Sequence, residues 1–257
     1  LRAMWISPAA GLLVLLFSPS IMGKTVGFIW LFAGFFAYSL SVPIIRKQNI
    51  SSEDRTYLLT CAKRIWSFFE DFCTAADHYL PPDNWQERPP VGVAHRTSPT
   101  NIGLCLLSCL SAMDLKVTTE QKALGLIQNI LDTLRRMPKW KGHLYNWYDT
   151  RSLRSLHPAY VSTVDSGNLA VCLLILREAM LEYARPDLAE ACDELLAPMS
   201  FLPLYDKSHR LFTIGVDLER ELATNSFYDL MASEARTTGF LSIARGEVSR
   251  RHWRALS

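Results

Sequence analysis

Hydrophobic and polar positions follow two regimes along the chain. Residues Ala3 to Gly23 are uncharged, and so are Thr25 to Ile45, with Lys24 the one charge between Arg2 and Arg46. Each stretch is about 20 residues, the length at which a helix crosses the apolar core of a bilayer. The second, VGFIWLFAGFFAYSLSVPII, carries the stronger signal, with a buried core helix as its alternative. The first holds Ser7, Pro8, Ser18, Pro19 and Ser20, which predicts a segment that spans poorly or lies shallow. A cleaved signal peptide fits badly, because the run is long, doubled and without a small-residue cleavage site. One or two transmembrane helices are expected over residues 1–48. If both cross, Arg2, Arg46 and Lys47 share one side, and the positive-inside rule puts the remainder in the cytoplasm.

From Asn49 the period becomes that of amphipathic helices. Ser51 with Asp54 has the form of a capping box, followed by Leu58, Cys61, Ile65, Phe68, Phe69 and Phe72 at helical spacing. A proline-rich irregular stretch, YLPPDNWQERPPVGVAH, comes next. Ser98–Pro99 opens a helix to about Asp114 that is apolar on most sides and therefore buried. Thr118 with Gln121 opens another, carrying Leu124, Ile127, Ile130, Leu131 and Leu134. After the loop GHLYNWYDTRSLRSLHPAY, Asp165–Ser166 caps the helix LAVCLLILREAMLEYA. A short helix is expected from Pro186 to about Met199, a hairpin over PLYDKSHRLFTIG, and a last helix from about Asn225 to Arg245. The fold class expected is all-α: stacked helical hairpins forming a partial α/α toroid over 49–257, incomplete at its C-terminal end. A four-helix bundle is the alternative, but it does not need two long aromatic loops.

Composition narrows the function classes. The chain has 257 residues, 49% apolar and 20% charged, which excludes a disordered protein. A net charge of +2 and the lack of any recognition motif exclude nucleic acid. It begins at Leu1, not Met, and is expected to be a fragment. Cys61, Cys73, Cys105, Cys109, Cys172 and Cys192 form no CxxC pair and read as buried reduced thiols. No metal cluster, nucleophile elbow, P-loop or dinucleotide fingerprint occurs, and no cofactor is expected.

Four segments hold the candidate chemistry: PPDNWQE (81–87), HRTSPTNIG (95–103), YNWYDT with VDSGNLA (145–150 and 164–170), and NSFYDLMASEAR (225–236). They set planar aromatics beside carboxylates and amides. A Trp or Tyr ring covers the flat CH face of a sugar, while Asp, Asn and Arg bond its hydroxyl rim. Candidate sugar-binding residues are Asp83, Trp85, Arg96, Asn101, Tyr145, Asn146, Trp147, Tyr148, Asn168 and Tyr228. The bland alternative is that the aromatics close a helical core. Ser98, Asp165 and Ser166 also fit as helix caps.

Glu234 is the sharpest catalytic candidate. On a helix from Asn225 it falls on the stripe of Phe227, Leu230, Met231, Thr238 and Leu241. A carboxyl in apolar surroundings suits a glycosidase-type general acid; a buried Glu paired with Arg96 is the alternative. Glycoside chemistry needs a second carboxylate, about 5–5.5 Å away for retention or about 6.5–9.5 Å for inversion. Asp149, Asp165 and Asp229 are the candidates within the chain.

LPPDNWQE, HRTSPTNIGL, GHLYNWYDTRSL, VDSGNLA and NSFYDLMASEAR together resemble the cyclic β-1,2-glucan synthases, in the same order, over roughly Glu53 to Trp253. The resemblance implies an inner-membrane multipass enzyme and β-1,2-glucan as the ligand. It places the chain at the last membrane helices and the first part of a glucoamylase-like domain that closes glucan rings by transglycosylation. UDP-glucose would be used by another region of a larger synthase. Two departures stand out: a short stretch between DSGNLA and NSFYDL, and an end soon after His252–Trp253, which could leave the second carboxylate outside the chain. A β-glucan hydrolase and a non-catalytic, membrane-tethered glucan-binding domain are the competing functions.

Overall fold

The computed structural model describes residues 5–42, 50–220 and 222–257. They form two compact units, Leu1–Ser51 and Ser52–Ser257. Arg2, Arg46 and Lys47, on which the topology expectation rests, lie outside the described residues.

The first unit is a helical hairpin, α1 (Ile6–Phe17) and α2 (Ile21–Ser41). The long apolar run breaks at Ser18–Ser20, where Ser20 caps α2 by accepting from the Gly23 N–H. At 1.5 Å per residue α1 is about 18 Å long and α2 about 31 Å, against about 30 Å of bilayer core. So among the described residues α2 alone is long and apolar enough to cross a membrane, with mean hydropathy 1.4; Lys24 sits in its first turn. Within the two helices only Gly11 and Gly27 are buried. A Cβ at Gly11 would stand 2.7 Å from Gly27 O, so the hairpin crosses backbone on backbone. Small residues at a crossing, with apolar side chains turned outward, are the packing that suits lipid.

The second unit is mostly helical. Its helices are α3 (Ser52–Phe72), α4 (Pro99–Asp114), α5 (Glu120–Arg136), α6 (Thr163–Glu182), α7 (Pro186–Leu196) and α8 (Arg236–Ala244). Their starts follow capping chemistry. Ser98 accepts from the Asn101 N–H ahead of Pro99, as expected. The caps of α5 and α6 are Thr119 and Ser162, not Thr118 and Asp165. α6 is the centre: it packs on α4, α7 and α8, while α4 and α7 also meet α5. Ile102, Leu106, Ile127, Ile130, Leu131, Leu134, Leu173 and Leu176 fill the core at or below 1% exposure.

The expectation of a single hairpin in a helical chain is corrected. Twelve strands of two or three residues lie among the described residues. Pairs this short show no alternation in sequence, so they read as loop. β1 (Trp85–Gln86) pairs with β2 (Gly92–Val93), and β3 (Arg96–Thr97) with β6 (Tyr148–Asp149). β4 (Lys139–Trp140) pairs with β5 (His143–Leu144). β7 (Tyr160–Ser162), β10 (Gly215–Asp217) and β11 (Leu222–Ala223) form one sheet; β8 (Tyr205–Asp206), β9 (Leu211–Thr213) and β12 (Phe227–Tyr228) form another. The expected hairpin is β8–β9. The last helix loses its first half, because Phe227 and Tyr228 pair with Thr213 and Phe212 instead.

Two measurements test this packing. Leu173→Ala is expected to cost about 2–5 kcal/mol in urea denaturation, and Leu104→Ala, at an exposed position, within about 0.5 kcal/mol. In the β8–β9 turn, bonds from Ser208 Oγ and the His209 N–H hold the Asp206 carboxyl down at about 2. A depressed carboxyl stabilises above its unfolded value and loses that stabilisation as pH falls through its folded one. Stability profiles of wild type and Asp206→Asn should therefore differ at pH 5 and converge as pH falls towards 2.

Candidate active site

The two long loops meet where β3 pairs with β6, with Arg96 opposite Asp149 and Thr97 opposite Tyr148. Behind this pair stands a support rooted in the buried Asp77 and Thr150. Asp77 Oδ1 accepts from His95 Nδ1 at 2.8 Å and from Thr150 Oγ1. Arg151 Nη2 donates to His95 Nε2 at 2.7 Å, which leaves Nδ1 as the protonated nitrogen. Tyr148 is fully buried; its hydroxyl donates to Pro138 O at 2.6 Å and accepts from the Tyr145 N–H at 2.8 Å. The expectation that Tyr148 touches a sugar is thereby corrected: it is a pillar beneath the loop.

In front of that support runs a continuous polar network. Arg96 donates through Nε and Nη2 to Asp83 Oδ2 at 3.1 and 2.8 Å. Asn84 and Asn101 donate to the same carboxylate. The Arg96 guanidinium also lies over the Trp147 ring at 4.8 Å, so that face of the indole is occupied. With the Asn146 amide turned so that both of its ends find partners, Trp147 Nε1 donates to Asn146 Oδ1 at 3.1 Å, and Asn146 Nδ2 donates to Asp165 Oδ2 at 3.0 Å. Thr100 Oγ1 donates to Asp165 Oδ1 at 2.7 Å, and Asn168 Nδ2 donates to Thr100 Oγ1 at 3.2 Å. The network thus joins the first turns of α4 and α6, and a helix N-terminus favours a carboxylate such as Asp165.

The opposite side comes from the strands. Burial pushes the Tyr228 phenol up, and the neighbouring Tyr160 phenol and the Glu234 and Asp165 carboxylates add to that. Burial also raises Tyr160, with Asp217 and Asp165 adding to it and a bond to Thr224 opposing it. The charge of Asp165 thus acts on both phenols, and that of Glu234 on Tyr228. Tyr160 was not among the sequence candidates; its signal is its place two residues before the cap of α6.

Several expectations change. Glu234 is exposed, on the turn just before α8. The apolar stripe needed a helix from Asn225, and that helix starts at Arg236. Arg96 is paired with Asp83, not with Glu234. Asp149 Oδ1 takes three bonds from its own turn, the Arg151 and Ser152 N–H groups and Ser152 Oγ. Burial alone would raise its carboxyl, but those bonds outweigh it and hold it low, which suits a turn cap better than a proton donor. Asp229 is exposed, and its carbonyl accepts from the Ser257 N–H at 2.8 Å. Tyr145 is half-buried against Tyr148, whereas Trp85 is 53% exposed with its ring free for stacking apart from Phe72 at 6.4 Å. Among the described residues no group of His, Cys, Asp or Glu fits a metal ion.

Tyr148→Phe leaves a buried carbonyl and N–H without their partner. Urea denaturation should show a loss of about 1–3 kcal/mol.

Comparison with known proteins bears on the fold and on sequence kinship. No family model matches the chain. It is 41% identical over 192 residues to the cyclic β-(1,2)-glucan synthase NdvB of Rhizobium meliloti (strain 1021), covering 71% of this chain and 7% of that protein. Among solved structures, it superposes on a β-1,2-glucanase from Parabacteroides distasonis with TM-score 0.66 and 12% identity, covering 80% of this chain and 30% of that one. An endo-β-1,2-glucanase from Chitinophaga pinensis gives 0.60 and 13%, covering 74% and 47%. A candidate glucoamylase from Bacteroides fragilis NCTC 9343 gives 0.63 and 16%, covering 77% and 49%. The chain is thus related in sequence to a cyclic β-(1,2)-glucan synthase, across 7% of that protein's length, and shares its fold with glucoamylase-like proteins.

Proposed function

We propose that the second unit forms one wall of a cleft that acts on β-1,2-glucan, closing rings by transglycosylation. The observation that carries this is the Asp165 site: a carboxylate at the start of α6, held by Thr100 and Asn146 in a network that reaches Asp83 and Arg96, with its charge and that of Glu234 both acting on the Tyr228 phenol. The named activities of the sequence relative and of two structural neighbours supply the substrate class.

In this reading Glu234, in its acid form, gives its proton to the glycosidic oxygen as the anomeric bond breaks. Asp165 supports the anomeric centre as charge develops there. A hydroxyl of the same glucan then forms the new bond to the anomeric carbon and returns a proton to the Glu234 carboxylate. Asp83, Arg96, Asn101 and Asn168 bond hydroxyls, and Trp85 and Tyr228 offer ring surface. The helices fit a partial α/α toroid in which α4, α6 and α8 stand side by side and α5 and α7 back them. α2 fits a span in the inner membrane. Polymerisation from UDP-glucose belongs to other regions of a larger synthase.

The test is to incubate the full-length protein with linear β-1,2-glucan and separate rings from linear oligomers. Rings are expected, and Glu234→Gln and Asp165→Asn should each cut their formation by about 10²–10⁴. Linear oligomers alone would replace ring closure with hydrolysis. Glucan binding without turnover, unchanged by Glu234→Gln, would make this a binding domain.

A further inference from the structure

Asp165 and Glu234 belong to different elements. Asp165 lies in the first turn of α6, and Glu234 stands two residues before α8 begins. Their separation is therefore set by where the start of α8 rests on α6.

The two helices meet at Gly167 and Thr238. Gly167 is two residues beyond Asp165, and Thr238 is four beyond Glu234; both are buried. A Cβ at Gly167 would collide with Thr238 Oγ1 and stand 2.8 Å from its Cβ and 3.1 Å from its Cα. Thr238 Oγ1 donates to Thr163 O at 3.1 Å, so the hydroxyl that fills the missing side chain also ties α8 to the start of α6. Behind α8, a Cβ at Gly239 would lie 2.7 Å from His252 Nε2, and His252 Nδ1 is bonded to Arg210 O at 3.0 Å. The start of α8 is clamped on both sides. Gly is a poor residue for the interior of a helix, and at position 167 close approach is the reason that propensity is overridden.

We propose that Gly167 and Thr238 are positioning residues: their contact sets the Glu234 carboxylate against Asp165. This rests on the reading of Asp165 and Glu234 as the catalytic pair. Gly167 and Thr238 act through that pair and not on the substrate. A methyl group at Gly167 pushes the start of α8 outward and carries Glu234 with it, while the polar network around Asp83 and Arg96 stays in place.

A misplacement of about 1 Å costs on the order of 10²-fold in rate. In the full-length protein, Gly167→Ala should lower kcat on linear β-1,2-glucan by about 10- to 100-fold, with KM little changed. In a Thr238→Gly background the same substitution should cost much less, because the new methyl then enters the vacated space. Thr238→Ala, which removes the colliding oxygen and keeps helix propensity, serves if Thr238→Gly does not fold. Gly167→Ala turning over like wild type while Glu234→Gln is inactive overturns the positioning role and leaves the active-site reading standing. Equal losses from Gly167→Ala in both backgrounds overturn it too, since the effect would not come from this contact. If Glu234→Gln and Asp165→Asn both match wild type, the active-site reading falls and the positioning role with it.

Discussion

Thr163 is the residue on which the candidate site depends. Its N–H donates to Ile214 O at 3.1 Å, its Oγ1 donates to Thr213 O at 2.7 Å, and its carbonyl accepts from Thr238 Oγ1 at 3.1 Å. It is fully buried, so these bonds act in a low dielectric, where an unmade one costs the desolvation of its group. One residue thus ties the start of α6 to the β9–β10 run and to α8. Because β10 pairs with β7 and β9 with β12, the same junction sets Tyr160 and Tyr228 in register. Everything that faces Asp165 from the strand side hangs on it.

The loop side is organised differently. There the order comes from a chain of side-chain hydrogen bonds, with one guanidinium–indole contact between Arg96 and Trp147, running from Asn84 through Asp83, Arg96, Trp147, Asn146 and Asp165 to Thr100 and Asn168. Its members belong to loops, but they end on the first turns of two buried helices. Loops supply adaptable chemistry, and rigid elements fix it to the fraction of an ångström that catalysis requires. The Asp77–His95 contact and the buried Tyr148 hydroxyl do for the loops what capping does for the helices: each satisfies backbone and side-chain groups that would otherwise face inward unpaired.

What was legible in the sequence follows from these two modes of order. The helices announced themselves through period and caps, as Ser98–Pro99 and the stripe from Leu124 to Leu134 illustrate. The segments carrying Asp83, Arg96, Trp147 and Asp165 were visible as polar aromatic loops, and the structure brings them into one network. The errors lie where long-range pairing overrode local pattern. The stretch from Asn225 has helical spacing, yet Phe227 and Tyr228 pair with Thr213 and Phe212, residues no local rule connects to them. Glu234 was misplaced by that one event. Tyr148 sits beside Trp147 in a run whose members look alike, and only tertiary packing separates the pillar from the surface. Tyr160 was missed because its one signal, a place two residues before the cap of α6, shows only once that cap is Ser162 and not Asp165.

The two carboxylates end in contrasting situations. Asp165 is held by donors on a rigid helix start, and its geometry is complete without a ligand. Glu234 is exposed on a turn, so water surrounds it in the free protein. A sugar that reaches this carboxylate must first remove that water. On the proposed reading the removal comes with the substrate: a sugar seated against Tyr228 lies against the neighbour of Glu234 and displaces its hydration. On that reading the Asp165 side of the cleft is formed before binding, and the Glu234 side is completed by the glucan itself.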